Sequence, residues 1–275
     1  MYNKVYVEIT NICNMNCSFC HGHSRAPRQM SIDEFAVILE KLKEQTKYIY
    51  YHLMGEPLTH PQLPDFLTLA SKRGYKSIIT TNGTLLNKLG DSLLISGVHK
   101  VNISLHSFEN GTEESFEKYI CELANFAENA AQKGTIIVFR LWNKGFDDGK
   151  NEFAISYLKE KILGDWRGNT RGVKIKENIY LEFGARFSWP DVKEEIKGNK
   201  FFCYGLKDQF GILVDGTVVP CCLDSDGIIN LGNIFKGDIT EILNSERATK
   251  IVEGFKCGTA SENLCKKCGY AQRFV

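Results

Sequence analysis

Short β-rich runs alternate with amphipathic helical segments along the first two thirds of the chain. The spacing of apolar and β-branched residues predicts six strands, at residues 4–9, 48–53, 77–81, 100–105, 135–141 and 179–183. The helix after the first strand is predicted to begin at Ser31, because Ser31 and Glu34 have the spacing of a capping box. Repeated βα units of this length predict a parallel sheet with right-handed crossovers.

These units predict an α/β fold, a partial (β/α)6 barrel that is TIM-like in architecture. In such barrels the functional residues lie at the carboxyl ends of the strands. The chemically distinctive residues of this chain follow predicted strands in the same way: a cysteine group, Gly55-Glu56-Pro57, Asn82-Gly83, Ser104 with His106, and Arg140. We therefore expect them to gather at one face of the barrel.

The pattern changes after about residue 185. Two β-rich runs, 212–214 and 217–220, flank Asp215-Gly216, which is typical of a hairpin. A single helix is predicted over residues 239–252. These features indicate a barrel domain at residues 1–185 and a small, loop-rich C-terminal module at residues 186–275.

Composition and charge exclude several classes of protein. Of the 275 residues, 43% are hydrophobic and 24% charged, and the formal net charge of +1 gives no electrostatic reason to expect binding to nucleic acid or to a membrane. No apolar stretch approaches the roughly 20 residues of a membrane helix, and the N-terminus lacks a signal-peptide pattern. We therefore expect a cytoplasmic protein, in which ten cysteines indicate metal ligands rather than disulfides.

The first cysteine group comprises Cys13, Cys17 and Cys20, which follow the first strand with the spacing C-x3-C-x2-C. Three thiolates from one short loop can ligate three irons of a 4Fe–4S cluster and leave the fourth iron open for chemistry. A zinc site more often uses paired C-x2-C knuckles. On spacing alone, zinc or a purely structural cluster remains the alternative.

The second group consists of four cysteines near the C-terminus: Cys203, Cys221, Cys265 and Cys268. The predicted hairpin presents Cys221 where it ends, and the last two cysteines form a compact C-x2-C pair. Four thiolates in this arrangement can hold either a 4Fe–4S cluster or zinc. Cys222 and Cys257 are left over, as substitute ligands or as ordinary thiols.

With Phe19 beside the last cysteine of the first group, the Gly-Glu-Pro strip, Asn82-Gly83 and the βα repeats, residues 4–143 closely resemble the radical S-adenosylmethionine (SAM) superfamily. The resemblance implies that the open iron chelates the amino and carboxylate groups of SAM. One electron from the reduced cluster then cleaves the sulfur–C5′ bond, and the resulting 5′-deoxyadenosyl radical removes hydrogen from a substrate. The protein positions the cofactor and excludes water and wrong reactions.

The same resemblance implies a set of cofactor-binding residues: Phe19, Gly55, Glu56, Pro57, Asn82, Ser104 and Arg140. The Gly-Glu-Pro strip is expected at the ammonium group, and Asn82 and Ser104 at the ribose or carboxylate. Arg140 is expected to pair with the carboxylate, which the planar fork of arginine suits, and Phe19 to lie near the adenine. The alternatives are an ordinary turn at Asn82-Gly83 and a packing role for Ser104.

The C-terminal segment resembles the SPASM module and its shortened twitch form, which hold auxiliary 4Fe–4S clusters. The matching features are Cys203, the Gly216-to-Cys221 spacing, the Pro220-Cys221-Cys222 step, Gly232-Asn233 and the terminal cysteine pair. A full SPASM module carries more cysteines than this chain. The resemblance therefore implies one auxiliary cluster, as in the twitch form, and two 4Fe–4S clusters in all.

These features favour an enzyme, a radical SAM oxidoreductase or maturase, over a non-catalytic iron–sulfur or zinc-supported electron-transfer or binding protein. Its substrate is either a small molecule or a peptide, and its reductant a protein such as flavodoxin or ferredoxin. Oxidation of a carbon radical needs a general base. The candidates are His106, Asp208, Asp224 and the permanently protonated Arg186, of which we retain His106 and Asp208.

Overall fold

The computed structural model describes residues 1–147 and 149–274 and is built around one eleven-stranded sheet. The strands are β1 (Lys4–Val7), β2 (Tyr48–Tyr50), β3 (Lys76–Thr81), β4 (Val98–Ser104), β5 (Ile136–Lys144), β6 (Arg167–Asn169), β7 (Gly172–Lys176), β8 (Ile179–Ala185), β9 (Gln209–Ile212), β10 (Thr217–Val219) and β11 (Gly232–Asn233). The helices are α1 (Ile32–Lys41), α2 (Leu63–Lys72), α3 (Leu86–Ile95), α4 (Glu113–Gln132), α5 (Lys150–Lys161), α6 (Ile239–Leu243), α7 (Glu246–Lys256) and α8 (Asn263–Lys266). Short 3₁₀ turns occur at Pro57–Thr59, Leu105–Ser107 and Tyr270–Phe274.

The strand order is β11-β10-β9-β1-β2-β3-β4-β5-β8-β7-β6, a line and not a ring. The seven strands from β9 to β8 run parallel, and antiparallel strands extend the sheet at both edges. The α/β class and the partial barrel predicted from the βα repeats are therefore confirmed, with an open sheet. The C-terminal segment also contributes to this sheet, because β9 pairs with β1.

Alternation along the parallel strands gives the sheet two different faces. One face carries fully buried apolar residues, such as Val5, Val101 and Phe139, which belong to the main hydrophobic core. The opposite face carries polar residues, such as Lys100 and Arg140, which line a cavity. The inner face of the curved sheet is therefore available for chemistry, while the outer face supplies stability.

Local sequence signals account for several element boundaries. The Ser31 side chain accepts from the N–H of Glu34, and the Glu34 carboxylate accepts from the N–H of Ser31, so the predicted capping box is present. The predicted hairpin is also found, with Val218 opposite Ile212 and Gly216 at a φ of +86° in its turn.

Two features of the chain differ from the sequence prediction. The single helix predicted over 239–252 is wrong, because α6 ends at Leu243 and α7 begins at Glu246. Ser245 leaves the helical conformation, and its side chain accepts from the N–H of Ala248 as the N-cap of α7. The short antiparallel strands β6 and β7 were not predicted: β6 is three residues long and has no apolar side chain, and the apolar–polar alternation of β7 covers only residues 173–176.

Within the described part of the chain, none of the helices combines the length and the apolar character needed to cross a membrane.

Candidate functional site

The loop that follows β1 brings the three cysteines of the first group together. Cys13 and Cys20 are exposed and Cys17 is half-buried, and the N–H of Cys20 donates to the Cys17 carbonyl at 3.1 Å. Burial raises the pKa of Cys17 to about 12, and Glu109, Cys20 and Cys13 add to the rise electrostatically. All three thiols lie on this one loop, where bound iron would stabilise them as thiolates.

The Gly55-Glu56-Pro57 strip after β2 lies against the start of this loop. The N–H of Glu56 donates to the carbonyl of Ile12 at 2.9 Å, and Gly55 has a φ of +75°. A Cβ at Gly55 would lie 2.4 Å from the carbonyl oxygen of Thr10, closer than real Cβ contacts. This position therefore requires glycine both for its backbone conformation and for the close approach of two segments.

The side chain of Glu56 is buried and joins the strip to the end of β3. Its Oε2 accepts from the N–H of Asn82 at 2.7 Å, and its Oε1 accepts from the N–H of Leu58 at 3.1 Å. Burial raises the pKa of Glu56 to about 7, against the opposing effect of these donors. The Glu56 carboxylate therefore positions the Gly-Glu-Pro strip against the end of β3.

Asn82 links the end of β3 to the cysteine loop. Its Nδ2 donates to Oδ1 of Asn14 at 2.9 Å, and Nδ2 of Asn14 donates to Oγ1 of Thr84 at 2.9 Å. The hydroxyl of Tyr119 donates to the Asn82 carbonyl at 2.6 Å. An ordinary turn needs none of these long-range contacts, so Asn82 belongs to the framework that holds the loop.

Ser104 and Arg140 are register partners on β4 and β5. Nε of Arg140 donates to Oε2 of Glu182 at 3.1 Å, and its guanidinium carbon lies 4.7 Å from the centre of the Trp142 ring. The ion pair and the stacked ring fix the guanidinium plane. Its two terminal nitrogens have no hydrogen-bond partner among the described residues.

Phe19 and His106 line a cavity of about 520 Å³ next to the cysteine loop, and their ring centres are 4.9 Å apart. Nδ1 of His106 lies 3.1 Å from the Arg140 carbonyl and 3.3 Å from the backbone nitrogen of Trp142. Burial lowers the pKa of His106, which keeps its ring neutral near pH 7, as a general base requires. The ring also ties β5 to the turn after β4.

A second cavity, of about 530 Å³, lies between the inner face of the sheet and the C-terminal segment. Its wall contains five cysteines: Cys203, Cys221, Cys222, Cys265 and Cys268. Burial raises the pKa of Cys221, and the other four thiols add to the rise. The structure thus brings together the four predicted ligands and Cys222, whereas Cys257 is exposed at the end of α7.

Across residues 1–147 and 149–274, no three His, Cys, Asp or Glu side chains meet closely enough to hold a single metal ion. A 4Fe–4S cluster spreads its ligand sulfurs over a larger cage than a single ion does, and its ligands are thiolates. Three thiols on one loop and five in the wall of one cavity match that set of donors. The residues present therefore fit two clusters.

One buried ion pair beside the site was missed at the sequence level. The fully buried Glu8 carboxylate accepts from both terminal nitrogens of Arg25, at 2.6 and 2.7 Å. It also accepts from the N–H of Met54 at 3.1 Å and from the N–H of Val214 at 2.9 Å. Glu8 therefore joins the cysteine loop, the strip and the C-terminal hairpin. A glutamate between Val7 and Ile9 in a buried strand is the signal, because a buried charge requires a partner.

The two retained candidates for the general base lie in different places. His106 lines the smaller cavity, whereas Asp208 lines the larger one and accepts from the side-chain amide of Asn3. Asp224 also lines the larger cavity, but its two oxygens accept from the N–H groups of Ile228 and Ile229, each at 2.8 Å. The structure does not bring His106 and Asp208 together.

Comparison with known proteins identifies both halves of this arrangement. The family model of the radical SAM superfamily matches residues 7–140, and that of an iron–sulfur cluster-binding domain, SPASM, matches residues 203–269. The first match contains the cysteine loop and all the strand ends described above, and the second contains the C-terminal cysteines. The chain belongs to the radical SAM superfamily. Membership makes 4Fe–4S clusters and SAM its cofactors.

Relatives of this radical SAM protein include two archaeal sequences named probable GTP 3′,8-cyclase. The one from Saccharolobus islandicus (strain Y.N.15.51 / Yellowstone #2) is 24% identical over 277 residues, which cover 87% of this chain and 89% of the relative. The one from Sulfolobus acidocaldarius is 25% identical and covers 84% of each chain.

Solved structures with a similar fold include BtrN in complex with AdoMet and 2-DOIA, at a TM-score of 0.61 and 17% identity. That match covers 98% of this chain and 93% of BtrN. The enzyme anSMEcpe with bound AdoMet matches at a TM-score of 0.63 and 16% identity, over 98% of this chain and 86% of the other. At these identities the likeness concerns the fold of the radical SAM protein.

Proposed function

We propose that this protein cleaves SAM reductively and uses the product to abstract hydrogen from a substrate held in the larger cavity. The first cysteine group holds the SAM-binding cluster, and Cys203, Cys221, Cys265 and Cys268 hold one auxiliary 4Fe–4S cluster. Held by these cysteines, the auxiliary cluster would supply an electron acceptor for the substrate or a binding site for it. On this view the enzyme is an oxidoreductase or a maturase, with a barrel at residues 1–185 and an auxiliary module at residues 186–275.

The observation that carries this proposal is the position of Trp142. Its side chain belongs to the wall of the smaller cavity, beside Phe19, and also to the wall of the larger cavity, which contains the C-terminal cysteines. The two cavities therefore adjoin at Trp142. That proximity supports hydrogen transfer between ligands in the two cavities and electron transfer towards the C-terminal thiols.

When bound at the first cysteine group together with its cluster, SAM would supply the hydrogen-abstracting chemistry. The chain's own residues orient the reactants. Main-chain atoms of the Gly-Glu-Pro strip, held by Glu56, face the cysteine loop. The terminal nitrogens of Arg140, in the wall of the larger cavity, offer a planar fork to a carboxylate, and Phe19, in the wall of the smaller cavity, offers an aromatic face to an adenine. His106, beside Phe19 in the wall of the smaller cavity, and Asp208, in the wall of the larger cavity, are the two candidates to receive the substrate proton.

The reductant is expected to approach the first cysteine group, because Cys13 and Cys20 are exposed there. A small acidic electron carrier such as flavodoxin or ferredoxin is the partner we propose. Ten free cysteines, most of them in two metal-binding groups, suit the reducing environment of the cytoplasm.

The names of the relatives do not decide the substrate. The archaeal sequences are named after a reaction of GTP, whereas a BtrN structure contains 2-DOIA and anSMEcpe belongs to a complex with a peptide. The proposal for this chain therefore stays with SAM cleavage and hydrogen abstraction from a small molecule or a peptide.

The test is formation of 5′-deoxyadenosine and methionine when anaerobically reconstituted protein is mixed with dithionite and SAM. Slow, uncoupled formation is expected without the true substrate, because the site holds SAM next to a reducible cluster. Cys17→Ala should abolish the product, and Cys257→Ala, which changes an exposed cysteine outside both groups, should not. Absence of the product from wild-type protein with both clusters intact would replace this proposal by the electron-carrier alternative.

A further inference from the structure

Cations from three strands meet inside the larger cavity. Lys4 on β1, Lys100 on β4 and Arg140 on β5 all belong to its wall. Their sequence neighbours Val5 and Val101 are fully buried on the outer face of the sheet, so alternation directs the lysines to the inner face. The three side chains come from distant parts of the sequence, which excludes a local charge run as the reason for their proximity.

These three cations make few hydrogen bonds or ion pairs with the described residues. Glu182 engages only Nε of Arg140. Neither the Lys4 nor the Lys100 ammonium has a hydrogen bond or an ion pair with any described residue. Burial lowers the pKa of Lys100, and Arg140 and Lys4 lower it further, whereas Glu182 opposes this. Lys100 is thus a half-buried amine between two like charges.

The other charged groups in this wall are committed elsewhere. The Asp208 carboxylate accepts from the Asn3 amide, and the Asp224 carboxylate accepts from two backbone N–H groups. Arg273 donates to the Ala185 carbonyl and stacks on two aromatic rings. Four cationic side chains and three carboxylates (Glu182, Asp208 and Asp224) belong to the described wall, so one positive charge is in excess before a cluster binds. Two half-enclosed ammonium groups that no described carboxylate contacts favour binding of an anion.

We propose that Lys4 and Lys100 bind an anionic group, a phosphate or a carboxylate, at one end of a small-molecule substrate. This inference rests on the proposed function, since it places the rest of that molecule beside Trp142, where the two cavities adjoin. Aromatic and aliphatic side chains of the C-terminal segment, including Phe201, Phe255 and Leu264, cover the opposite wall. The cavity therefore offers one charged end and an apolar side, a pattern that suits a compact amphiphilic anion.

The test is equilibrium titration of inorganic phosphate and, separately, of succinate into anaerobically reconstituted protein that is saturated with SAM. SAM is included so that Arg140 is already engaged if it binds the cofactor. We expect one equivalent of at least one of these anions to bind with a Kd of about 10 mM or tighter, which is weak binding by a fragment of the substrate. Phosphate alone would indicate a phosphorylated substrate, and succinate alone a carboxylic acid.

Variants assign the binding to the lysine pair. Lys100→Met should weaken anion binding on the order of tenfold, and Lys100→Arg, which keeps the charge, should restore most of it. Lys72→Met, on the exposed surface of α2, is the matched control and should bind as the wild type does. Iron content and thermal unfolding of each variant show that it is folded before it is titrated.

Two results overturn the inference: no binding of either anion, or equal affinities for wild type and Lys100→Met. Both are independent of the 5′-deoxyadenosine assay. Anion binding without 5′-deoxyadenosine formation would leave the lysine site standing and remove the proposed reaction. Formation of 5′-deoxyadenosine without anion binding would support the proposed reaction and remove the lysine site.

Discussion

The two cysteine groups differ in how they are held. The first group lies on a loop in which two of three thiols are exposed, and polar contacts with the ends of β2 and β3 fasten that loop to the sheet. The second group is half-buried in a cavity wall, with thiols drawn from loops, the end of a hairpin and the short helix α8. An exposed loop on a rigid sheet can receive a ligand and an electron. A buried set of thiols from short elements depends on its metal for its own shape.

The largest expected difference is in the effect of removing cysteines. Wild-type protein should contain about eight irons, the sum of two 4Fe–4S clusters. Cys13→Ala/Cys17→Ala/Cys20→Ala should lose about half the iron and all 5′-deoxyadenosine formation, with little change in thermal stability. Cys265→Ala/Cys268→Ala should lose the other half and unfold the C-terminal module at a lower temperature.

Metal analysis by mass spectrometry and circular-dichroism melting under argon measure both effects. Full iron in the first variant would remove those cysteines as ligands. One zinc and four irons in the wild type would make the second group a structural zinc site.

The next largest effect concerns a buried charge pair beside the first group and an exposed pair in the C-terminal module. Arg25→Met leaves Glu8 buried without its counter-charge and should cost about 3–5 kcal/mol of unfolding free energy. Arg247→Met breaks a similarly bidentate pair with Glu262, but Arg247 is solvent-exposed and Glu262 partly so, and the loss should cost about 1 kcal/mol or less. Urea unfolding measures both, and equal losses would contradict the assignment of Glu8 as a buried junction.

Glycine-to-alanine substitutions should reveal a smaller difference in stability between the strip beside the first cysteine group and the C-terminal segment. Gly55 and Gly258 both have positive φ, but a Cβ at Gly55 would meet the Thr10 carbonyl, whereas nothing lies within 4 Å of one at Gly258. Gly258→Ala should cost about 1–2 kcal/mol, from backbone strain alone. Gly55→Ala should cost more and should also weaken SAM binding, because it displaces the strip from the cysteine loop. Equal stability losses with unchanged SAM affinity would show that the close approach at Gly55 is unimportant.

The last expected effect is a pH dependence from Glu56. Its folded-state pKa of about 7 lies above the ordinary value of 4.5, so the folded protein holds this proton more tightly than the unfolded chain does. The stability that Glu56 contributes is therefore present at low pH and is lost as the pH rises from about 4.5 to 7. Urea unfolding between about pH 5 and 8 should show this slope in the wild type and in the exposed control Glu44→Gln. A parallel slope in Glu56→Gln would assign the pH dependence to another group.

Sequence periodicity predicted the repeating part of the fold well, because each βα unit buries one face and so imposes its own pattern on the chain. It failed where one polar side chain decides a boundary, as when Ser245 caps α7 and splits the predicted helix. It also missed β6, which is fully exposed, and β7, in which the alternating run is only four residues long.

The candidate site was predictable where its residues cluster in the sequence and not where the fold joins distant segments. The cysteine spacing and the Gly-Glu-Pro strip were visible as motifs. The meeting of Glu8 with Arg25 and Val214, and that of Lys4 with Lys100, depends on tertiary structure. The placement of His106 and Asp208 in separate cavities is likewise a property of the sheet, since proximity in three dimensions has no local signature.

The pairing of β1 with β9 has a consequence for the synthesis of the protein. β1 is among the first residues to leave the ribosome, whereas its neighbour β9 begins at Gln209, so at about 5–20 residues per second the strand waits roughly 10–40 s for its second partner. During that time the edge of β1 is open to other strands, and the N–H of Val214 is not yet available to Glu8. For this interval, the cysteine loop after β1 is attached to a sheet that still lacks β9. Slower translation would extend the period in which the chain can aggregate or lose newly inserted iron.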